Sequence, residues 1–193
     1  MRLIIASNNK HKIQEIKQIL SGRFEQILSL SEAGVTHETI EDGDSFMANA
    51  LKKAREIAEI TGQAVLADDS GLCVAALNGA PGVYSARFAG EDSADKRDEA
   101  NNALLLEKLC GASDRSAYFA CTMALVYPDG RELVATGYMH GSIIDTPRGA
   151  SGFGYDPLFL PDGESRTVAE MTDYEKNLIS HRANAIKDLL SKI

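Results

Sequence analysis

Two stretches with strand character, 117–127 and 132–144, flank Pro128-Asp129-Gly130, and no other feature of the chain constrains its fold as much. Long strands joined by such a turn predict an antiparallel hairpin, so part of the sheet must be antiparallel. Elsewhere strand and helix periods alternate, which calls for helices packed on that sheet. Leu3-Ile4-Ile5-Ala6 reads as a short buried strand. Ile13, Ile16, Ile19 and Leu20 then space out a helix that starts near Lys10 and stops at Gly22. A weak strand at 27–30 precedes an acidic loop, Glu38 to Asp44. A longer helix is expected from about Ser45 to Ile60, capped by Asp44 or Ser45, with Met47, Leu51, Ala54 and Ala58 on its apolar face and Gly62 at its end. Ala64 to Ala67 reads as a buried strand that delivers Asp68-Asp69-Ser70-Gly71 at its tip. A turn-rich stretch at 78–82, a helix from Asp95 to Leu109, a glycine-rich loop from Gly149 to Asp156 and a last helix beginning near His181 follow; that helix should bury Ala183, Ile186, Leu189 and Leu190. The expected fold is α/β, a mixed sheet with flanking helices, as one domain spanning 1–193. The strand order is not legible at this stage.

Composition narrows the function. Hydrophobic residues make up 44% of the 193, enough for a sizeable core. A net charge of −8 argues against sequence-independent binding of nucleic acid, which needs a broad basic face. A small anion needs only a few local cations and a metal ion, whatever the global sign. Cys73, Cys110 and Cys121 are odd in number and form no CxxC pair, so buried, reduced thiols are expected rather than a disulfide framework or a zinc site. No apolar run approaches the ~20 residues of a membrane span, and Leu3 to Ala6 is too short for a signal peptide core. A cytoplasmic protein without a membrane partner is expected.

Four polar constellations carry the chemistry. Ser7-Asn8-Asn9-Lys10-His11-Lys12 places three basic residues in the first turn of a helix, where the dipole favours anions. A bound phosphate would resolve the conflict; a solvated turn with Asn9 as a simple N-cap is the plainer alternative. Asp68-Asp69-Ser70-Gly71 sets two carboxylates side by side, with Glu41-Asp42 in the preceding loop as acidic partners. Hard oxygen ligands suit Mg²⁺ or Mn²⁺, although the same four residues would also form an Asx-turn. Ser151-Gly152-Phe153-Gly154-Tyr155-Asp156-Pro157 alternates glycines with rings, which permits either a base-stacking loop or a glycine turn over a core Phe. Lys176 and Ser180-His181-Arg182 put cations at the start of the last helix. The donor-only fork of Arg182 matches the O6/N7 edge of a 6-oxopurine and mismatches the adenine amino group; a surface arginine beside a capping serine is the alternative. Lys53, one helical turn from Asn49, is a lesser candidate beside its default reading as a solvated lysine.

Taken in order, these blocks resemble the inosine triphosphate pyrophosphatase family, which acts on XTP and dITP. The resemblance runs from Ile4 to about Leu190. Ser7 through Lys12, Ser45-Phe46 with Asn49-Ala50 and Lys53-Ala54, and Leu66 through Leu72 carry its first half. Gly79 through Arg87, Gly152 through Pro157, and Ser180-His181-Arg182 carry the rest. Ser7 stands where the family often has Thr, and the hydroxyl is kept. The resemblance implies an elongated, two-lobed domain with the active site in a central cleft, and a homodimer. It implies that Asn9 and Lys12 hold the triphosphate, that Glu41 and Asp69 hold Mg²⁺ with Asp68 close by, and that Lys53 faces the phosphates. Asp69 would accept the proton of the attacking water, and Ser70 would touch the substrate. Phe153 would stack on the base, and Asp156, Lys176, His181 and Arg182 would recognise it.

The implied reaction is Mg²⁺-dependent hydrolysis of ITP, dITP and XTP to the monophosphate and pyrophosphate. A donor at O6 separates hypoxanthine and xanthine from adenine, but guanine also carries O6, and no residue visibly rejects GTP. A related pyrophosphatase acting on pyrimidine or modified nucleotides is the alternative enzyme, and a nucleotide sensor that binds without hydrolysing is the alternative class. The acidic trio Glu41, Asp68 and Asp69 argues against the sensor. No REXXEE-type helix supports a Nudix hydrolase, and no GxGxxG follows the first strand, which argues against a dinucleotide-binding protein.

Overall fold

In the computed structural model, residues 2–90 and 94–193 are described, with side chains resuming at residue 97 after the break. The chain forms β1 (Arg2–Ile5), α1 (Lys10–Ile19), β2 (Gln26–Ser29), α2 (Phe46–Thr61), β3 (Ala64–Val74), α3 (Ala94–Lys108), β4 (Ser116–Val126), β5 (Glu132–Ile143), β6 (Phe159–Pro161), α4 (Asp173–Ile179) and α5 (His181–Leu190). One six-stranded sheet has the order β2-β1-β3-β4-β5-β6. β1 runs parallel to β2 and β3, whereas β5 and β6 are antiparallel, so the sheet is mixed as expected. The predicted hairpin turn is present: the Tyr127 N–H donates to the Arg131 carbonyl at 2.9 Å, and the Gly130 N–H to the Tyr127 carbonyl at 3.0 Å.

The chain divides into two compact units, each assembled from separated segments. The first comprises Met1–Asp69, Cys121–Gly137 and His181–Ile193, the second Ser70–Ala120 and Tyr138–Ser180. In the first unit, strand alternation sorts the core into two layers. Leu3, Ile5, Ala64 and Leu66 pack against Ile16 of α1, its C-cap Leu20, and Ala185, Ile186 and Leu189 of α5. Ile4, Ala6, Val65 and Ala67 pack on the other side against Ala50, Ala54, Ile57 and Ala58 of α2. Burial on both faces is why residues 3–5 and 64–67 are unbroken apolar runs.

α2 does present an apolar face, but a rotated one. Ala50, Ala54, Ile57 and Ala58 are buried together with Asn49 and Lys53, while Met47 is exposed. Ser45 caps this helix, accepting from the Ala48 N–H at 3.2 Å, and Gly62 closes it in the left-handed region. α5 buries Ala185 rather than Ala183. It lies close to β5 because residue 137 lacks a side chain: a Cβ there would run into the α5 backbone at His181, Asn184 and Ala185. Gly137→Ala is therefore expected to destabilise the protein by about 1–3 kcal/mol, the usual scale of overpacking. A fall in Tm of roughly 2–4 °C per kcal/mol would register it; an unchanged Tm would mean that α5 can move away freely.

The second unit packs Leu72 and Val74 of β3, Leu105 of α3 with Leu109 just past its end, and Phe119, Met139 and Ile143 of β4 and β5 around Leu158 and Phe159. The Phe119 and Phe159 rings meet at 4.7 Å between centroids. α4 was not separated from the last helix in the sequence, although its capping box, Thr172 with Glu175 three residues on, is written there. Cys73 and Cys121 are buried as expected, but Cys110 is exposed, and all three are free thiols. Among the described residues no helix is long and apolar enough to cross a membrane.

Candidate active site

The turn between β1 and α1 is built by its own side chains. Asn9 is the N-cap, and its Oδ1 accepts from the N–H groups of His11 at 3.0 Å and Lys12 at 3.2 Å. The Ser7 hydroxyl accepts in turn from the Asn9 N–H at 3.2 Å. No acid enters the first turn, so the dipole conflict read from the sequence is real. Asn8, Lys10 and His11 are exposed, whereas Lys12 turns inward and places its ammonium 3.1 Å from Asp68.

β3 corrects the sequence reading of the acid pair. The strand does not end at Ala67 but continues to Val74, so Asp68, Asp69 and Ser70 lie within it and form no Asx-turn. Leu72, Cys73 and Val74 are buried and carry the extended chain onward. β1 ends opposite Leu66, so Asp68 to Gly71 lie beyond its last paired residue. The Leu72 N–H goes instead to the Ser85 hydroxyl at 2.8 Å. Alternation then separates the two carboxylates: Asp68 shares its face with Leu66, towards α1 and α5, and Asp69 shares its face with Ala67, towards α2. The pleat thus turns the neighbouring carboxylates to opposite faces of the strand.

Asp68 anchors a buried charge cluster. Its Oδ2 takes Arg182 Nη2 at 3.1 Å and Lys12 Nζ at 3.1 Å, and the Cys121 thiol lies 4.0 Å away. Arg182 Nη1 bonds Glu15 Oε2. Two cations thus face two anions. Burial alone would push the Asp68 carboxyl up, but Lys12 and Arg182 outweigh it and hold the group far below the usual carboxylate range. Burial and the neighbouring Arg182 oppose the charge of Lys12 too, and Asp68 together with Asp69 and Cys121 outweighs them, so its pKa is raised. Burial pushes the Cys121 thiol up to about 12, which keeps it neutral and unreactive. Arg182 is 1% exposed and is therefore no surface arginine. The fork assigned to a base edge has its two terminal nitrogens engaged by Asp68 and Glu15.

On the opposite face Asp69 Oδ2 accepts from the Asn49 amide at 2.9 Å, and the same amide's oxygen accepts from the Gly43 N–H at 2.8 Å. Lys53, expected as a solvated lysine by default, is buried and pairs with Glu41 at 2.8 Å. Burial raises the Asp69 pKa; Lys53, Lys12 and Asn49 oppose this, and the charge of Glu41 adds to it. Asp69 and Glu41 therefore feel each other's charge. Among the described residues no three acidic or His/Cys side chains form a cage for an ion. Mg²⁺ is commonly held by one or two carboxylates together with substrate phosphates, and this pair of hard oxygen ligands fits that pattern.

The second unit carries the glycine-rich loop. Lys176 on α4 bonds Asp156 Oδ2 at 2.8 Å, both side chains being buried, and its ammonium sits 4.7 Å from the centroid of the half-buried Phe153 ring. The Phe153 N–H donates to the same Asp156 oxygen at 3.0 Å. A side chain at residue 152 would strike that carboxylate, so only glycine fits there. The sequence placed Lys176 and Arg182 at one helix start; they stand instead on α4 and α5, in different units. Tyr155 is core, not a ligand face: it is 4% exposed and its hydroxyl donates to the Ser85 carbonyl at 2.8 Å. Ser70 is half-buried, and His181 is buried where α5 begins.

Glu15 was missed in the sequence, though its place three residues after Lys12 on one helix face, among isoleucines, is the signal of a buried partner. Asp98 and Asn102, which bond Gly154, left no signal, because only the folded chain brings α3 to residue 154.

Known proteins place the chain. The profile of the Ham1 family matches residues 3–192. A protein of Geobacter sulfurreducens named dITP/XTP pyrophosphatase is 49% identical over 187 residues, covering 96% of this chain and 92% of that protein. One of Exiguobacterium sp. with the same name is 48% identical over 193 residues, 100% of this chain and 97% of its own length. The Ham1 protein of Staphylococcus aureus superposes with a TM-score of 0.88 at 41% identity, covering 100% of this chain and 97% of that one. The nucleoside-triphosphatase or dITP/XTP pyrophosphatase of Mycobacterium abscessus does so at 0.78 and 46%, covering 98% and 99%. With the motif order read from its sequence, its mixed sheet and these likenesses over nearly its whole length, the chain belongs to the Ham1 family.

Proposed function

We propose that this protein hydrolyses the non-standard purine nucleoside triphosphates ITP, dITP and XTP to the nucleoside monophosphate and pyrophosphate. The observation that carries the reading is Asp69, a carboxyl with a raised pKa, aimed by Asn49 and flanked by Glu41 and Lys53. A base works best when its pKa approaches the operating pH, and a raised carboxyl moves that way. The names dITP/XTP pyrophosphatase borne by relatives 48–49% identical support the same substrates.

In the proposed mechanism, Asp69 takes a proton from water as its oxygen attacks the α-phosphorus. The bond from that phosphorus to the bridging oxygen breaks, and pyrophosphate leaves. Lys12, Lys10, His11 and Lys53, with the polar groups of Ser7, Asn8, Asn9 and Ser70, bind and orient the phosphates. Asp68 keeps Lys12 in place. Mg²⁺, or Mn²⁺, bound through Asp69 and Glu41 would neutralise charge on the phosphates. Phe153 on the Gly154 loop offers a ring to the base, Asp156 fixes Lys176, and the donor-only ammonium of Lys176 suits a 6-oxo group and mismatches adenine. His181 is a further proposed base-recognition residue, on the family resemblance. A homodimer is proposed on the family resemblance alone and a cytoplasmic location on the free thiols, and the net charge of −8 speaks against a nucleic-acid partner.

The test is pyrophosphate release from purified protein with Mg²⁺, comparing ITP, XTP, GTP, ATP and dTTP. Rapid release from ITP and XTP, and little from ATP, is the expected result. Release mainly from dTTP would keep the chemistry and overturn the base assignment, and tight binding without release would make the protein a sensor.

A further inference from the structure

We propose that Asp98 and Asn102 of α3 are positioning residues for base recognition, holding both backbone polar groups of Gly154 and so setting the orientation of the Phe153 ring. This rests on the proposed stacking role of Phe153. The two residues are four apart and share one face of the helix. Asp98 Oδ2 accepts the Gly154 N–H at 2.6 Å, and the Asn102 amide donates to the Gly154 carbonyl at 2.9 Å. One glycine is thus gripped at its donor and its acceptor by a single helical turn.

The grip matters because of what it holds. Gly152 and Gly154 both stand in the left-handed region, at φ +79° and +61°, and glycine has the widest choice of backbone conformations. Phe153 lies between them. Its own N–H is fixed by Asp156 on one side, and α3 fixes the next peptide on the other. The helix is a firm support at that point: Asn101, between the two clamps, donates to the carbonyls of Ser85 and Ala86 at 3.3 and 3.2 Å and accepts from the Ala89 N–H at 2.8 Å. Tyr155, the residue after Gly154, donates to the same Ser85 carbonyl.

Two details set a positioning role apart from general stability. Asp98 is exposed, so water can replace its hydrogen bond to Gly154 when the carboxylate is removed, and the net loss of global stability is small. The Asn102 oxygen is buried and has no hydrogen-bond partner among the described residues. An amide whose donor is used while no described residue meets its buried acceptor is a poor arrangement if stability were the purpose.

The experiment measures kcat, KM and Tm for Asp98→Ala, Asp98→Asn, Asn102→Asp and Phe153→Ala with ITP and ATP. Asp98→Ala and Asn102→Asp are expected to raise KM for ITP about three- to tenfold, the effect of one ordinary hydrogen bond. They should leave kcat within about twofold and lower the ITP-to-ATP ratio of kcat/KM, and Asp98→Ala should barely move Tm. Asp98→Asn, which keeps an acceptor, should recover most of the loss. An unchanged KM and base ratio in Asp98→Ala and Asn102→Asp, when Phe153→Ala raises KM, would overturn the inference and leave the stacking role standing. An unchanged KM in Phe153→Ala would overturn the stacking role itself. Parallel losses of kcat and Tm at a constant base ratio would reduce both residues to structural supports.

Discussion

Asp69→Asn is expected to lower kcat for ITP by about 10²–10⁴-fold, the usual contribution of a positioned general base, without lowering stability. The second half follows from the sign of the pKa shift. A carboxyl raised by burial gives stability that is full below its unfolded pKa and is lost as pH rises through the folded one. At neutral pH the ionised form is therefore a liability in the folded state. An amide of the same shape keeps an acceptor for Asn49 and removes the buried charge. Melting in EDTA at neutral pH should show the variant equal to or above wild type in Tm while nearly inactive with Mg²⁺. Near-normal turnover would remove Asp69 from its role, and a deep fall in Tm would recast it as a structural acid.

Arg182→Met should behave in the opposite way. The guanidinium, 1% exposed, stands between Asp68 and Glu15. Removing one member of a buried ion pair leaves uncompensated charge and typically costs about 3–5 kcal/mol. For a chain of this size that is a fall in Tm of roughly 6–20 °C. The effect should also depend on pH. Asp68 has its carboxyl pKa lowered, so its contribution is present above the unfolded value near 3.9 and is lost as pH falls through that value towards the folded one. The gap in Tm between wild type and Arg182→Met should accordingly narrow below about pH 4. Melting curves from pH 7 down to pH 3 would measure it. A variant that keeps its Tm and loses only discrimination between ITP and ATP would restore Arg182 to the base edge.

Much of the frame was legible because it is local. Asn9 and Ser45 cap the helices at which the sequence expected them, Gly62 ends α2, and Pro128-Asp129-Gly130 turns the hairpin. Each depends on residues within a few positions of one another, where backbone preferences and short hydrogen bonds decide the outcome. The errors share one cause as well. β3 outran its predicted end because Leu72 to Val74 enter the core of a different unit from Ala64 to Ala67. The inward face of α2 includes Asn49 and Lys53 because Asp69 and Glu41 give them partners, and polarity alone had turned them outward.

The sequence by itself determined the element order, a sheet of mixed direction, the family and the residue types from which a phosphate and base site is made. These rest on periodicity, turn chemistry and ordered motifs, all properties of the chain read in one dimension. Only the tertiary structure decided which side chain each charge faces. The pleat of β3 sends Asp68 to Arg182 and Lys12 and sends Asp69 to Asn49, giving adjacent carboxyls pKa shifts of opposite sign. Burial and the distance to a neighbouring charge set those shifts, and partners such as Arg182 for Asp68 are 114 positions apart in the chain.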